Sequence, residues 1–245
     1  VEFKPLMLML AHEFIGCVLL AMFLNVARQY IAALDFVVMY IFLFLAWIAY
    51  AFSYKVSGGH LNPAVTIAHM CRLDGNFTWI HGLFYIPVQF VGHLFGIFLG
   101  WWFVRSAGSL KIYQEPSTGD YWYVESFFME IMASLIFVLI HLLQSNLTTA
   151  ISGNMLWQTF LVGLTYAASV YWSFLRTGGS NNPAYGLAQT LADLFDSGDE
   201  EAMEFVWIYI VSPIIGAMVA WGLYEVIFKP AHSEAVTHGE TGNKL

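Results

Sequence analysis

Two copies of one short motif hold the residues whose types and spacing best suit a function. The heptapeptides are GGHLNPA at 58–64 and GGSNNPA at 178–184. Both end in an Asn-Pro-Ala triplet, which is Asn62, Pro63 and Ala64 in the first copy and Asn182, Pro183 and Ala184 in the second. Proline is tolerated in the first turn of a helix, and asparagine before it is a favourable N-cap. Each copy therefore predicts irregular, glycine-permitted backbone that leads into a short helix.

The chemistry of these segments is hydrogen bonding in a positive field. A helix N-terminus carries about half a positive charge, and the amides of Asn62 and Asn182 can donate hydrogen bonds toward a common centre. The carbonyls expected to form a ladder of acceptors belong to Gly58, Gly59, His60 and Leu61, and to Gly178, Gly179, Ser180 and Asn181. A passage of this kind suits water or another small neutral molecule and repels cations.

The elements that must position the two motifs are membrane helices. The chain is 59% hydrophobic and only 11% charged, whereas a soluble domain has about a quarter charged residues. An all-α membrane protein is expected, with six transmembrane helices and two re-entrant half-helices. The six apolar segments are Leu6–Arg28, Phe36–Lys55, Thr78–Arg105, Trp122–Gln144, Met155–Leu175 and Met203–Phe228, and the two short helices are Pro63–Arg72 and Pro183–Leu194.

The same order of elements occurs twice, which predicts one membrane domain over residues 1–228 built from two repeats, about 6–105 and 122–228. Glu13 precedes Asn62 by 49 positions, and Glu130 precedes Asn182 by 52. Each repeat crosses the membrane an odd number of times, so the second is inverted and the functional site lies where the broken helices meet. The polar tail 229–245 is predicted to be disordered.

Glu13 and Glu130 lie inside predicted spans, where a carboxylate is costly unless it has partners. One interpretation is structural: each carboxylate accepts backbone N–H bonds from a re-entrant loop and holds the half-helix in place. The other is a proton relay in a secondary transporter, a class that also uses inverted repeats and broken helices.

The paired Asn-Pro-Ala motifs, the sequences GGHLNPAVT (58–66) and SPIIGA (212–217), and the membrane glutamates resemble the aquaporin (major intrinsic protein) family. The resemblance implies a homotetramer embedded in lipid, with one pore per subunit, both termini in the cytoplasm and no cofactor. It also implies a passive channel for water and for small neutral solutes such as glycerol or urea, which excludes ions and protons. It favours the structural interpretation of Glu13 and Glu130.

One part of the family pattern is altered. The family's narrowest constriction normally includes an arginine directly after the second motif, and Tyr185 occupies that position here. By the same resemblance, the selectivity filter comprises Phe42, Val170, Gly179 and Tyr185. Three consequences are open: a wider filter, a passage narrowed by the ring of Tyr185, or replacement of the missing charge by Arg176.

Other functions have less support. The sequence has no basic cluster for nucleic acid, no histidine spacing typical of a metal site and no nucleophile–base set typical of an enzyme. A poorly conducting, structural member of the same fold is the alternative to a channel. The acidic residues before the last span are interpreted as a solvated loop; they are Asp193, Asp196, Asp199, Glu200, Glu201 and Glu204.

Overall fold

The computed structural model describes residues 3–31, 36–75, 77–198 and 200–232, and these residues form a helical bundle. The long helices are α1 (Phe3–Ile31), α2 (Phe36–Ser57), α4 (Trp79–Val104), α5 (Tyr123–Gln144), α6 (Met155–Thr177) and α9 (Val206–Leu223). The short helices are α3 (Pro63–Met70), α7 (Pro183–Ser197) and α8 (Glu201–Glu204). The helix α9 continues through a π-helical turn, Tyr224–Phe228, and one more turn at 229–232.

The predicted fold class, six long helices with two short ones between them, is confirmed. Five of the long helices are long and apolar enough to cross a membrane. The sixth, α6, has 23 residues and sufficient length but a more polar composition. Its polar side chains, which include Gln158, Thr159 and Ser173, are buried against the bundle. A span that faces protein on one side does not need to be apolar all round.

The two half-helices begin where the sequence predicts. Pro63 and Pro183 occupy the first helical turn, and the side-chain oxygens of Asn62 and Asn182 accept the backbone N–H groups of the turn that follows. The lengths differ, because α3 has eight residues and α7 has fifteen. At about 1.5 Å per residue, neither is long enough to cross a bilayer.

Equivalent helices pack in the same way in both halves of the chain: α1 lies against α4, and α5 lies against α9. Each half-helix also contacts the last long helix of the other half, α3 against α9 and α7 against α4. Small residues allow this close approach. A Cβ atom added at Gly216 of α9 would lie 2.9 Å from the backbone nitrogen of Leu135 and closer still to the carbonyl oxygen of Ile131, both on α5.

The acidic region matches the predicted solvated loop only in part, since Glu200 and Glu204 are exposed whereas its first residues belong to a helix. Asp193 and Asp196 belong to α7, and Asp193 is only 5% exposed. The carboxylate of Asp196 accepts hydrogen bonds from the indole of Trp101 at 2.8 Å and from the backbone N–H of Ala107 at 2.9 Å. The Asp196 carboxylate therefore connects the loop after α4 to α7. Asp199 lies outside the described residues.

The tail prediction is wrong for its first four residues, since 229–232 extend the last helix and Lys229 pairs with Glu225 at 2.9 Å. This pair spans one helical turn, a spacing that supports continued helix. Residues 233–245 lie outside the described part of the chain.

The close packing at Gly216 yields a prediction with a control on the same helix. We expect Gly216→Ala to lower the stability of the purified protein by about 1–3 kcal/mol, because overpacking forces the two helices apart. Gly222→Ala adds a methyl group with no atom within 4 Å, so we expect no loss and a gain of up to about 1 kcal/mol from helix propensity. Thermal unfolding in detergent measures both; equal stability of the two variants would contradict the proposed contact.

Candidate functional site: the meeting point of two half-helices

The N-terminal ends of α3 and α7 meet through a reciprocal pair of hydrogen bonds. The Asn62 amide nitrogen donates to the carbonyl of Asn181 at 2.8 Å, and the Asn182 amide nitrogen donates to the carbonyl of Leu61 at 2.8 Å. Both asparagines are fully buried. Each caps its own helix with its side-chain oxygen and bonds the opposite loop with its side-chain nitrogen, so the two tips are held together at the centre of the fold.

The two asparagines nevertheless differ. The Asn182 amide also lies 3.2 Å from Nε2 of His93, a buried residue of α4. The other ring nitrogen of His93 lies 2.8 Å from the carbonyl of Gln89, which makes Nδ1 the donor and leaves Nε2 to accept. Both amide hydrogens of Asn182 are therefore engaged by protein. Among the described residues only the carbonyl of Asn181 accepts from the Asn62 amide, which leaves one Asn62 hydrogen for a bound molecule.

The backbone of the two loops has the same conformation. Left-handed φ angles between 49° and 85° occur at Gly58, Gly59 and Leu61, and at Gly178, Gly179 and Asn181. Glycine adopts such angles readily, whereas Leu61 and Asn181 do so at a steric cost. The capping asparagine that follows each of these two residues is thereby directed toward the opposite loop.

Of the eight carbonyls predicted to form a ladder of free acceptors, four accept a hydrogen bond from another part of the protein. The carbonyls of Leu61 and Asn181 accept the asparagine amides, as described above. The carbonyl of Gly59 lies 3.0 Å from Nε2 of His141, and that of Gly179 accepts from Arg28 at 2.9 Å. Four of the predicted carbonyls have no donor within the described part of the chain, and they alternate along each loop: Gly58 and His60, and Gly178 and Ser180.

Glu13 supports the first loop. Its carboxylate accepts the backbone N–H groups of His60 at 2.9 Å and Leu61 at 2.8 Å. It also accepts the hydroxyl of Ser57 at 2.7 Å and the amide of Gln89 at 2.8 Å. Four donors on one buried carboxylate offset its desolvation, and these are the backbone bonds expected of the structural interpretation.

Glu130 makes the corresponding contacts in the second half. It accepts the backbone N–H groups of Ser180 at 3.2 Å and Asn181 at 2.7 Å, and the hydroxyl of Thr177 at 2.5 Å. In both halves a tyrosine hydroxyl also donates to the last carbonyl of the helix before the loop. Tyr85 donates to Ser57 of α2 at 2.8 Å, and Tyr209 donates to Thr177 of α6 at 2.9 Å. The supporting shell is thus repeated as well as the motif.

The side chain of His60 lies in a cluster of buried imidazoles. Its ring is 4.3 Å from that of His69, whose Nε2 lies 3.1 Å from Nδ1 of His141. His69 and His141 are bonded within the bundle. No group of three metal-ligating side chains is present among the residues described.

The four predicted filter positions are all buried, and the ring of Phe42 in α2 lies 6.3 Å from that of Tyr166 between centroids. Tyr185 is fully buried, and its hydroxyl donates to Oε1 of Gln189 at 2.9 Å. The same hydroxyl accepts from Nε of Arg28 at 2.7 Å. The ring of Tyr185 packs edge-on against His93, 5.9 Å between centroids. Gly179 is in direct contact with Val170, since an added Cβ would lie 3.1 Å from the Val170 side chain.

The idea that Arg176 replaces the missing arginine is wrong. Its guanidinium lies over the rings of Tyr113 and Trp122, at 4.6 and 4.3 Å from the centroids. A different arginine, Arg28 of α1, contacts the filter positions Gly179 and Tyr185. No local motif signals this, because Arg28 and Tyr185 are 157 positions apart.

The comparisons with known proteins agree with this geometry. The model of the major intrinsic protein family matches residues 5–224. The chain belongs to the major intrinsic protein family. Members of this family are membrane channels and not enzymes, and the chain is an integral, multi-pass membrane protein.

Individual relatives are distant. Aquaporin-4 of Bos taurus is 31% identical over 182 residues, which are 71% of this chain and 51% of that protein. The chain thus spans about half the length of that relative. Glycerol uptake facilitator protein-like 6 of Lactiplantibacillus plantarum is 29% identical over 85% of this chain and 92% of its own. The aquaglyceroporin structure from Plasmodium falciparum superposes with a TM-score of 0.80 at 19% identity, over 93% of this chain and 99% of that one.

Sequence reasoning missed three residues of this major intrinsic protein site: Arg28, His93 and Gln89. No local pattern around His93 indicates its contact with Asn182, a residue 89 positions away. The involvement of Gln89 could have been predicted from the sequence, because an amide inside an apolar span needs acceptors for both of its N–H groups. It donates to Glu13 and to the hydroxyl of Thr66, each at 2.8 Å.

The support of the second loop by Glu130 can be tested against another glutamate of α5. We expect Glu130→Gln to cost at least about 3 kcal/mol of stability, because hydrogen bonds to a charged group are worth about 1.5–3 kcal/mol each. Glu125 is exposed in the first turn of α5, where Glu125→Gln removes only a helix-dipole interaction of about 0.3–1 kcal/mol. Thermal unfolding and gel filtration in detergent compare them. A Glu130→Gln protein as stable as Glu125→Gln would refute the supporting role.

Proposed function

We propose that this chain forms a passive membrane channel for water and for small neutral solutes. The observation that carries the proposal is the pair of 2.8 Å bonds through which Asn62 and Asn182 join the tips of α3 and α7. The positive ends of two helix dipoles then face one point inside the protein. A cation meets repulsion there, whereas a neutral molecule with hydrogen-bonding groups does not.

The hydrogen-bonding groups near this point match such a molecule. One Asn62 amide hydrogen is left to donate, and the carbonyls of Gly58, His60, Gly178 and Ser180 have no protein donor among the residues described. Backbone without partners is tolerated at membrane depth only where it is buried in protein or borders water. A file of water molecules can bond the acceptors on either side of the donor. Two of the similar proteins carry glycerol in their names, which supports small hydroxylated solutes as further substrates.

The subunit is proposed to act within a homotetramer, each copy with its own passage. This follows from the family resemblance, and the chain offers apolar surface for it: Tyr40, Phe44 and Ile48 are all at least half exposed along one side of α2. Chemical crosslinking of the protein in its membrane and native mass spectrometry would determine the number of subunits.

The alternative, a poorly conducting structural member, is favoured by one cluster of rings between α2, α5 and α6. The centroid of Phe137 lies 5.1 Å from that of Tyr166 and 6.1 Å from that of Tyr50. These fully buried rings are large for the interior of a channel. The same cluster also contains an observation in favour of conduction. The hydroxyls of Tyr50 and Tyr166 have no hydrogen-bond partner in the described part of the protein, and water beside them would satisfy both.

Osmotic shrinkage of vesicles reconstituted with the protein tests conduction. We expect light scattering after an osmotic step to change faster than in empty vesicles, because the joined half-helices provide a polar route through the bilayer. A rate equal to that of empty vesicles would reject the channel and leave the structural alternative. Uptake that saturates and depends on an ion gradient would instead identify a transporter.

A matched pair of variants tests the centre of the passage. Asn62 and Asn154 are both N-caps whose side-chain oxygen accepts a backbone N–H at 2.8 Å, and aspartate keeps that oxygen. We expect Asn62→Asp to raise cation leakage into vesicles, because an anion then replaces the central donor. Asn154→Asp changes an exposed cap at the start of α6 and should leave leakage unchanged. Identical leakage through the two variants would argue against a passage beside Asn62.

A further inference from the structure

Arg28 is held at the predicted filter by contacts to three separate segments. It lies near the C-terminal end of α1 and is 5% exposed. Its Nε donates to the hydroxyl of Tyr185 at 2.7 Å, and its Nη2 donates to the carbonyl of Gly179 at 2.9 Å. Its Nη1 approaches the carbonyl of Ser109, in the loop between α4 and α5, at 3.4 Å. The guanidinium is thus oriented by α7, by the loop that precedes it and by the loop that follows α4.

No carboxylate of the described residues forms an ion pair with Arg28; that of Glu130 interacts with its charge electrostatically, without a direct hydrogen bond. Within the described ranges the partners of its guanidinium are a phenol, two carbonyls and two aromatic faces. Those faces belong to Tyr185 and Phe174, at 5.3 and 5.6 Å from the guanidinium carbon to the ring centroid. A buried cation without an ion-pair partner is costly, and a charged side chain in a membrane protein faces the bundle interior or a water-filled cavity.

The hydrogen-bond inventory of the guanidinium leads to the same conclusion. Arginine has five N–H donors, and the three bonds above use one on each nitrogen. One N–H on Nη1 and one on Nη2 therefore have no acceptor among the residues that the structure describes. Two unused donors on a cation without an ion-pair partner indicate that water, or a molecule in its place, bonds this group.

We propose that Arg28 is the specificity-determining cation of the filter, supplied by α1 in place of the arginine that the family carries after its second motif. The proposal rests on the proposed channel function. The two free N–H groups bond the oxygen of water or of a small solute with a carbonyl or hydroxyl oxygen, of the urea or glycerol class. The fixed charge repels protons and other cations.

Tyr185 is the positioning residue for Arg28. Its hydroxyl accepts from Nε of Arg28 and donates to Gln189, whose amide nitrogen in turn donates to the carbonyls of Ala107 at 2.6 Å and Gly108 at 2.9 Å. The phenol therefore links the guanidinium to α7 and, through α7, to the loop that follows α4. An arginine at position 185 would place a second cation beside Arg28, which explains why the tyrosine and the displaced arginine occur together.

Proton leakage measured together with water permeability tests the role of Arg28. In vesicles containing a trapped pH-sensitive dye, we expect Arg28→Met to raise proton flux about tenfold, equivalent to about 1.4 kcal/mol of barrier; the osmotic water permeability of the wild type is measured in parallel. Arg176→Met is the matched control, because Arg176 also stacks on two rings but contacts no filter position. Proton flux in Arg28→Met equal to that in Arg176→Met would overturn the proposal.

Two further variants make the test decisive. The double variant Arg28→Met with Tyr185→Arg moves the charge to the family's usual position, and we expect it to bring proton flux back to the wild-type level. A double variant as leaky as Arg28→Met would overturn the proposal, because the effect would then not follow the filter charge. Tyr185→Phe keeps the ring and removes the acceptor for Nε; we expect an increase in proton flux of severalfold.

Tyr185→Phe also covers the case in which Arg28→Met does not fold. Wild-type proton flux in a folded Tyr185→Phe protein would then overturn the positioning of Arg28 by the phenol. Failure of the proposed function gives a different result, since wild-type vesicles would conduct water no faster than empty ones. Failure of this inference alone leaves wild-type water conduction intact and the variants indistinguishable from Arg176→Met.

Discussion

The structure depends on two buried carboxylates that bind irregular backbone. Glu13 and Glu130 accept the N–H groups of the residues just before each capping asparagine. A backbone N–H without a partner costs several kcal/mol in a bilayer, so the two non-helical loops need these acceptors in order to exist at membrane depth. The carboxylates need the loops equally, because a buried anion requires donors. Loop and glutamate therefore stabilise each other, once in each half of the chain.

The joined helix tips follow from that support. Once the loops are held, Asn62 and Asn182 can cap their own helices and still bond the opposite loop at 2.8 Å. The repeat is not perfectly symmetric, because His93 of α4 accepts the second amide hydrogen of Asn182. The central donor facing a permeating molecule is thus proposed to come from Asn62 alone. A solute passing this point would meet one donor and acceptors from two loops.

At the predicted filter, the arginine expected from the family resemblance is missing, but a cationic side chain is present. Tyr185 occupies a position where the family normally has arginine, and a guanidinium is nevertheless present beside Gly179. Arg28 reaches this site from α1 and is bonded to the tyrosine itself. We propose that Arg28, oriented by the phenol of Tyr185, supplies the donors that a loop arginine provides elsewhere in the family. The electrostatics of a site follow from where charges lie in space, whichever helix they come from.

The sequence alone determined the elements of this protein and their order. The helices and the starts of α3 and α7 could be predicted because their signals are local. These signals are hydrophobic runs of sufficient length and two Asn-Pro pairs preceded by glycines. The pairing of Glu13 and Glu130 with the loops was also predictable, since a carboxylate in a span must find donors. Only the tertiary structure decided which side chains meet: His93 with Asn182, and Arg28 rather than Arg176 with Tyr185. These contacts join residues about 90 to 160 positions apart, and at that separation the packing angles of the helices, which no local pattern encodes, determine which groups touch.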